Sequence, residues 1–64
     1  MNYKELLAEI DKQKRLRDMT NKDLAKATRL AESTINGFMG GNRFSKQTAE
    51  KICKVLDIPE HMAS

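Results

Sequence analysis

The sequence is poor in the residues on which several classes of protein depend. Its 64 residues include one cysteine, one histidine, one proline and no tryptophan. A single cysteine, Cys53, cannot form an internal disulfide, which is typical of the reducing cytosol. Because Cys53 falls on an apolar stripe and His61 lies near the terminus, they form no nucleophile–base pair and no metal cluster. We therefore expect a cytoplasmic protein that is not an enzyme, with no metal site and no cofactor.

Long apolar segments are also missing. No run approaches the roughly 20 apolar residues that a transmembrane helix needs, and no signal peptide is recognisable. Hydrophobic residues make up 39% of the chain and charged residues 33%, a balance typical of soluble globular proteins. The length predicts one domain over residues 1–64. The lack of a long apolar segment predicts that this domain does not associate with membranes. Its free energy of unfolding should be modest, about 3–5 kcal/mol.

Neither sign of charge dominates, although the net charge is +3. Residues 20–44 carry four basic and two acidic side chains, whereas residues 45–64 carry three of each. This mild local excess is compatible with binding to nucleic acid or to an acidic partner. The aromatic residues Tyr3, Phe38 and Phe44 are all expected in the core. None is then left to stack on unpaired bases, which argues against single-stranded nucleic acid and RNA as partners.

What the sequence does contain is helical periodicity. Four segments carry the apolar spacing of an amphipathic helix, namely Tyr3–Arg17, Asn21–Thr28, Glu32–Met39 and Lys46–Leu56. Three of them follow a residue that caps helix N-termini, which are Asn2, Thr20 and Ser45. Leu16 is expected to extend the apolar face of the first helix, and Pro59–Met62 predicts a last short turn. The predicted fold class is all-α, a compact bundle of about five short helices.

The stretch from Thr20 to Met39 predicts two short helices that meet at a tight corner. Asp23 follows Thr20 at the spacing of a capping box. Ala25 is small enough for two helices to cross closely, and Leu30 is an apolar residue in the turn that can fill the space between them. This is the pattern of a helix-turn-helix, the unit with which many proteins bind DNA.

The second helix of this pattern has an unusual outer face. Ile35, Phe38 and Met39 form its buried stripe. The outer side then consists of short or polar residues, namely Glu32, Ser33, Thr34, Asn36 and Gly37. Serine and threonine can exchange hydrogen bonds with any base pair in the major groove, and asparagine can pair with adenine N6 and N7. We therefore predict that this face reads DNA.

Together these residues resemble the lambda-repressor-like family of phage repressors and Cro proteins. The resemblance extends from about Ile10 to Pro59 and includes Gly41 after the second motif helix. It also includes the spacing of Ala49 and Ile52 and the ending Val55–Pro59. The resemblance implies a bundle of about five helices, in which helices 2 and 3 form the reading unit. It further implies that the chain binds operator DNA as a symmetric dimer and controls transcription.

The resemblance also assigns roles to individual positions. Base-reading side chains are expected at Glu32, Ser33 and Gly37, with Thr34 and Asn36 beside them. Phosphate contacts are expected at Lys14, Asn21, Gly40, Asn42 and Arg43. Several of these residues also have an ordinary structural explanation: Glu32 suits the N-terminus of a helix, and Lys14 suits the C-terminal end of the preceding one. Arg43 lies in a loop beside two glycines, where a structural role is least expected.

Two positions depart from the family pattern. Arg29 stands in the motif turn where the family often has glycine, and a left-handed arginine costs about 1 kcal/mol. Gly37 removes a side chain from one reading position, which either permits close approach to a thymine methyl or moves the readout elsewhere.

The expected partner is double-stranded DNA, bound by a weak homodimer that forms mainly on a palindromic site. Ile58–Met62 is the expected surface of self-association. The alternative function is a protein-binding module, such as an antitoxin or regulatory partner, that uses the same helix-turn-helix surface.

Overall fold

A computed structural model of the chain describes residues 2–59. Its helices are α1 (Tyr3–Leu16), α2 (Asn21–Thr28), α3 (Glu32–Met39) and α4 (Lys46–Leu56). The all-α class and the four main helices are confirmed, with α1 ending one residue earlier than predicted. The count of about five helices is corrected to four in this part of the chain. Pro59 is not helical, and the remaining residues of the predicted last turn lie outside the described part.

The helix starts follow from hydrogen bonds of the capping side chains. Asn2 Oδ1 accepts from the Glu5 N–H at 2.8 Å, and Ser45 Oγ accepts from the Thr48 N–H at 3.3 Å. At the start of α2 the bonds are reciprocal: Thr20 Oγ1 accepts from the Asp23 N–H at 3.1 Å, and Asp23 Oδ2 accepts from the Thr20 N–H at 3.0 Å. Each bond satisfies a backbone donor that a helix N-terminus leaves without a partner. The caps therefore fix where these three helices begin.

All four helices end in the same way. The first or second residue after each helix end has a positive φ, as seen at Asp18 (53°), Arg29 (61°), Gly41 (80°) and Asp57 (57°). The next backbone N–H then bonds to the carbonyl five residues before it, which closes a Schellman motif. The four bonds are Met19 to Lys14, Leu30 to Ala25, Asn42 to Gly37 and Ile58 to Cys53, at 2.9, 3.0, 3.3 and 2.9 Å. Arg29 is thus left-handed, which the sequence left open beside an altered turn.

The core is assembled from one stripe of each helix. The buried apolar residues are Leu6, Ile10, Leu24, Ala25, Ile35, Phe38, Ala49, Ile52, Cys53, Leu56 and Ile58. Leu30 is partly buried against this cluster, so its role in filling the corner is confirmed. α2 packs against both α3 and α4, while α1 packs against α4. This packing holds α2 and α3 as a rigid pair. None of the helices within residues 2–59 is long and apolar enough to cross a bilayer.

Three apolar residues lie elsewhere than expected. Leu16 is 71% exposed, because six residues beyond Ile10 is roughly 240° around a helix and off the buried stripe. Phe44 is 51% exposed, since only part of its ring packs on other aromatic rings. Ile58 is 5% exposed and belongs to the core, so it is not available as the self-association surface that the sequence suggested. Met62, the other residue of that surface, lies outside the described residues.

Candidate nucleic-acid interface

The outer face of α3 presents the predicted base-reading residues. Glu32, Ser33, Thr34 and Asn36 are exposed, and Gly37 is half-buried. Ile35 and Phe38, on the inner side of the same helix, are fully buried. This separation follows from the helical period, since residues three apart share a side. The helix therefore turns a polar face outward from a rigid position.

A chain of side-chain hydrogen bonds joins this face to the two preceding helices. The Lys14 ammonium, near the end of α1, donates to Asn21 Oδ1 at the start of α2. Asn21 Nδ2 in turn donates to Asn36 Oδ1 in α3 at 3.0 Å. We call these three residues the relay. They were predicted separately as two phosphate contacts and one base contact, and the structure brings them together.

Arg43 lies against the same helix. A β-carbon placed on Gly37 would lie 3.4 Å from Arg43 Cδ and 3.8 Å from Arg43 Cβ and Cγ. The aliphatic part of the arginine therefore crosses α3 at Gly37, next to Asn36 of the relay. The space beside Gly37 is thus taken by Arg43, and the two explanations offered for Gly37 in DNA reading stay predictions. A β-carbon on Gly40 would similarly lie 3.4 Å from Asn42 Nδ2, so these two predicted phosphate contacts are also neighbours.

Tyr3 is a residue of this region that sequence reasoning assigned only to the core. Its ring packs edge-on against Phe38 and Phe44, each with ring centroids 5.2 Å apart, and its hydroxyl donates to the Phe38 carbonyl. Burial raises the pKa of Tyr3, and a backbone hydrogen bond from Arg43 acts in the opposite direction. Tyr3 thus ties the N-terminal turn of α1 to the loop that carries Arg43. The periodicity of α1 places the ring in the core but says nothing about a partner 35 residues away.

The remaining predicted residues are not joined to the relay. Within residues 2–59, the side chains of Glu32, Ser33 and Thr34 make no hydrogen bond to another predicted site residue. They share with the relay only their position on the exposed face of α3. The one ion pair found within this range joins Arg15 to Asp11 at 2.8 Å. The cationic groups of Lys14 and Arg43 are therefore not neutralised by a described carboxylate. The described residues also contain no group of three or more side chains suited to hold a metal ion.

These observations place a polar helix face, two cationic side chains and a tight corner on one side of the α2–α3 pair. A family profile of the Cro/C1-type HTH DNA-binding domain matches residues 9–60. The chain belongs to the Cro/C1-type helix-turn-helix family. The matched region includes α2, α3, α4 and every predicted site residue, and membership supports a DNA-binding regulator of transcription. Comparison of this Cro/C1-type domain with curated proteins gave no match. Comparison with solved structures gave none either.

Proposed function

We propose that this Cro/C1-type domain binds a palindromic operator as a dimer, in the manner of phage repressors and Cro proteins, with α3 in the major groove. The observation that carries the proposal is the exposed polar face of α3, to which Lys14 is joined through Asn21 and on which the stem of Arg43 lies at Gly37. A major groove about 12 Å wide admits one α-helix, and each base pair shows a distinct pattern of hydrogen-bonding groups there. The flanking cations suit the phosphates along the groove edges.

The proposal divides the site residues by role. Base edges are read by Ser33, Thr34 and Asn36, with Gly37 and Glu32 on the same face. Glu32 can accept a hydrogen bond from cytosine N4, and it also stabilises the N-terminus of α3. Phosphates are contacted by Lys14, Asn21, Gly40, Asn42 and Arg43.

Selection of bound sequences from random DNA duplexes, followed by binding measurements at two salt concentrations, tests this function. Specific binding is expected to recover a palindrome, and affinity should fall steeply with salt because each phosphate contact adds about 0.9 to the log–log slope. Absence of any DNA binding at low salt would contradict the proposal and favour a protein partner.

Arg43→Ala provides a sharper test of one phosphate contact. The variant should bind all DNA sequences more weakly to a similar extent and should lower the salt slope by about 1. Lys51→Ala is the matched control, because Lys51 is an exposed cation of α4 in the groove between α4 and the C-terminal end of α2. A changed base preference in Arg43→Ala would mean that Arg43 reads bases instead.

The dimer is proposed because one domain reads too few base pairs for useful specificity. Two half-sites about 34 Å apart present the same face of the duplex to two copies. We expect the free protein to be a monomer that dimerises weakly, mainly on DNA. Sedimentation of a tight dimer without DNA would overturn this part of the proposal.

A further inference from the structure

The relay has a direction, and we infer that this direction decides which bases Asn36 selects. Specifically, Lys14 orients the two asparagines so that Asn36 meets the base with its amide NH2 group and prefers a hydrogen-bond acceptor, guanine above all. The inference rests on the proposed DNA binding through α3 and identifies Lys14 as a positioning residue for base specificity, beyond its expected phosphate contact.

The direction begins at Lys14. A lysine ammonium carries three N–H donors and no acceptor, whereas an asparagine amide offers an oxygen at one end and an NH2 group at the other. Only the oxygen of Asn21 can therefore face Lys14, as the structure shows. The orientation of this amide follows from chemistry, because the opposite orientation would place donor against donor.

The same argument then applies to the next residue. With its oxygen facing Lys14, Asn21 directs its NH2 group toward Asn36. Asn36 must therefore accept this hydrogen bond with its own amide oxygen. The distance of 3.0 Å from Asn21 Nδ2 to Asn36 Oδ1 agrees with this order. Lys14 thus determines the orientation of Asn36 without touching it.

Asn36 is the last residue of the relay and the one that would contact a base. Asn36 is exposed, and its NH2 group has no hydrogen-bond partner among residues 2–59, while its oxygen already accepts from Asn21. In the major groove guanine offers two acceptors, N7 and O6, whereas cytosine offers the N4 donor. Bidentate pairing with adenine would require the Asn36 oxygen, which already accepts from Asn21, to accept through its second lone pair as well, whereas guanine requires only the NH2 group. The relay therefore favours guanine at the base that faces Asn36.

The decisive variant is Lys14→Glu, which reverses the relay. A carboxylate only accepts hydrogen bonds, so Asn21 would turn its NH2 group to the introduced carboxylate and its oxygen to Asn36. Asn36 would then present its oxygen to the base and prefer the cytosine N4 donor. The operator position read by Asn36 is first located as the one whose base preference disappears in Asn36→Ala.

At that position, binding to duplexes carrying each of the four bases is compared. The wild-type protein should prefer guanine to cytosine by about tenfold or more, and Lys14→Glu should invert the order. Overall affinity falls because a positive charge is lost, but the ratio between bases is independent of that loss. Lys12→Glu is the control: it makes the same charge change on an exposed residue of α1 and should retain the guanine preference.

Two further variants keep the test decisive if Lys14→Glu does not fold. Lys14→Met removes the donor and should weaken the guanine preference. Asn36→Asp still accepts from Asn21 but has no NH2 group, so it should favour cytosine. A guanine preference that is undiminished in Lys14→Met or that persists in Lys14→Glu overturns the inference. A wild-type preference for cytosine or adenine, or an Asn36→Ala variant that changes no position, also overturns it. A wild-type protein that binds no DNA at all refutes the proposed function instead.

Discussion

At the scale of single residues, two glycines near the end of α3 differ in what a side chain would do. Gly37 lies inside the helix, and a β-carbon there would make ordinary contact with Arg43 at 3.4 Å. Gly41 has a φ of 80°, where any residue with a β-carbon is strained. Gly37→Ala should therefore raise the free energy of unfolding by about 0.5–1 kcal/mol, and Gly41→Ala should lower it by about 1–2 kcal/mol. Urea denaturation of both variants measures the difference, and a change of the same sign in both would contradict it.

Tyr3 predicts a dependence of stability on alkaline pH. Burial raises its pKa above the ordinary value of 10.0, so the folded state favours the protonated phenol. The contribution is fully present below pH 10 and is lost as pH rises through the raised pKa. Unfolding measured from pH 8 to pH 12 should show this loss as a difference between the wild-type protein and Tyr3→Phe.

The same variant gives a neutral-pH control. Tyr3→Phe removes the hydroxyl that donates to the Phe38 carbonyl, so it should be less stable by about 1 kcal/mol at pH 7. The difference in free energy of unfolding between the two proteins should then decrease above pH 10. If this difference in free energy of unfolding does not change with pH, the folded state does not raise the pKa of Tyr3.

At the scale of the element, the start of α2 depends on an ionised side chain. The hydrogen bond from the Thr20 backbone N–H, followed by the bond with the Thr20 side chain, lowers the pKa of Asp23 below its ordinary value of 3.8. A lowered pKa in the folded state stabilises the protein above pH 3.8, and this contribution is lost as pH falls through the lowered value. Asp23→Ala should be less stable at neutral pH and should lose less stability on acidification. Acid titration of both proteins, followed by circular dichroism, tests this. Equal acid sensitivity would contradict it.

The motif turn carries a conformational cost that can be removed. Arg29 has a φ of 61°, a conformation that glycine adopts without strain. Arg29→Gly should therefore raise the free energy of unfolding by up to about 1 kcal/mol. Arg29→Ala is the matched control, because it removes the same charge but keeps the β-carbon. If the two variants are equally stable, the strain is absent.

The helices were predictable because their signals are local. Asn2, Thr20 and Ser45 cap the residues that follow them, so the starts of α1, α2 and α4 could be read from neighbouring residues. Apolar spacing indicated the buried side of each helix, including α3, which has no side-chain cap. Leu16 was misplaced because its apolar character was given more weight than its helical position, which lies off the buried stripe. Phe44 was misplaced because it lies in a loop, where no periodicity assigns a buried side. The exposed face of α3 was predictable for the same reason as its buried stripe.

The contacts within the site were not predictable in this way. Lys14 and Asn21 lie seven residues apart, and Asn21 and Asn36 lie fifteen apart. Their hydrogen bonds depend on how three helices cross, and no local periodicity encodes that crossing. The position of Arg43 over Gly37 likewise required the path of the loop. Resemblance to a family identified the residues, while the structure supplied their connections.

At the scale of the whole molecule, the described part is small enough for two copies to bind neighbouring half-sites on DNA. The longest dimension of the described part is 25 Å, which is less than the spacing of about 34 Å between half-sites one helical turn apart. Two copies can therefore lie side by side on one face of the duplex without overlapping. Inserting about 5 base pairs between the half-sites would rotate the second copy to the opposite face. Cooperative binding, measured by titration of the two-site duplex, should then disappear, and its persistence would argue against contact between the copies.

The position of Arg43 bears on the entropy of association. A long, mobile side chain loses rotamer freedom when a ligand immobilises it, and that loss weakens binding. Because the stem of Arg43 rests on Gly37 within the folded domain, part of this ordering takes place during folding. In the phosphate contact proposed for Arg43, the guanidinium would have a restricted range of motion, and forming that contact would cost less conformational entropy.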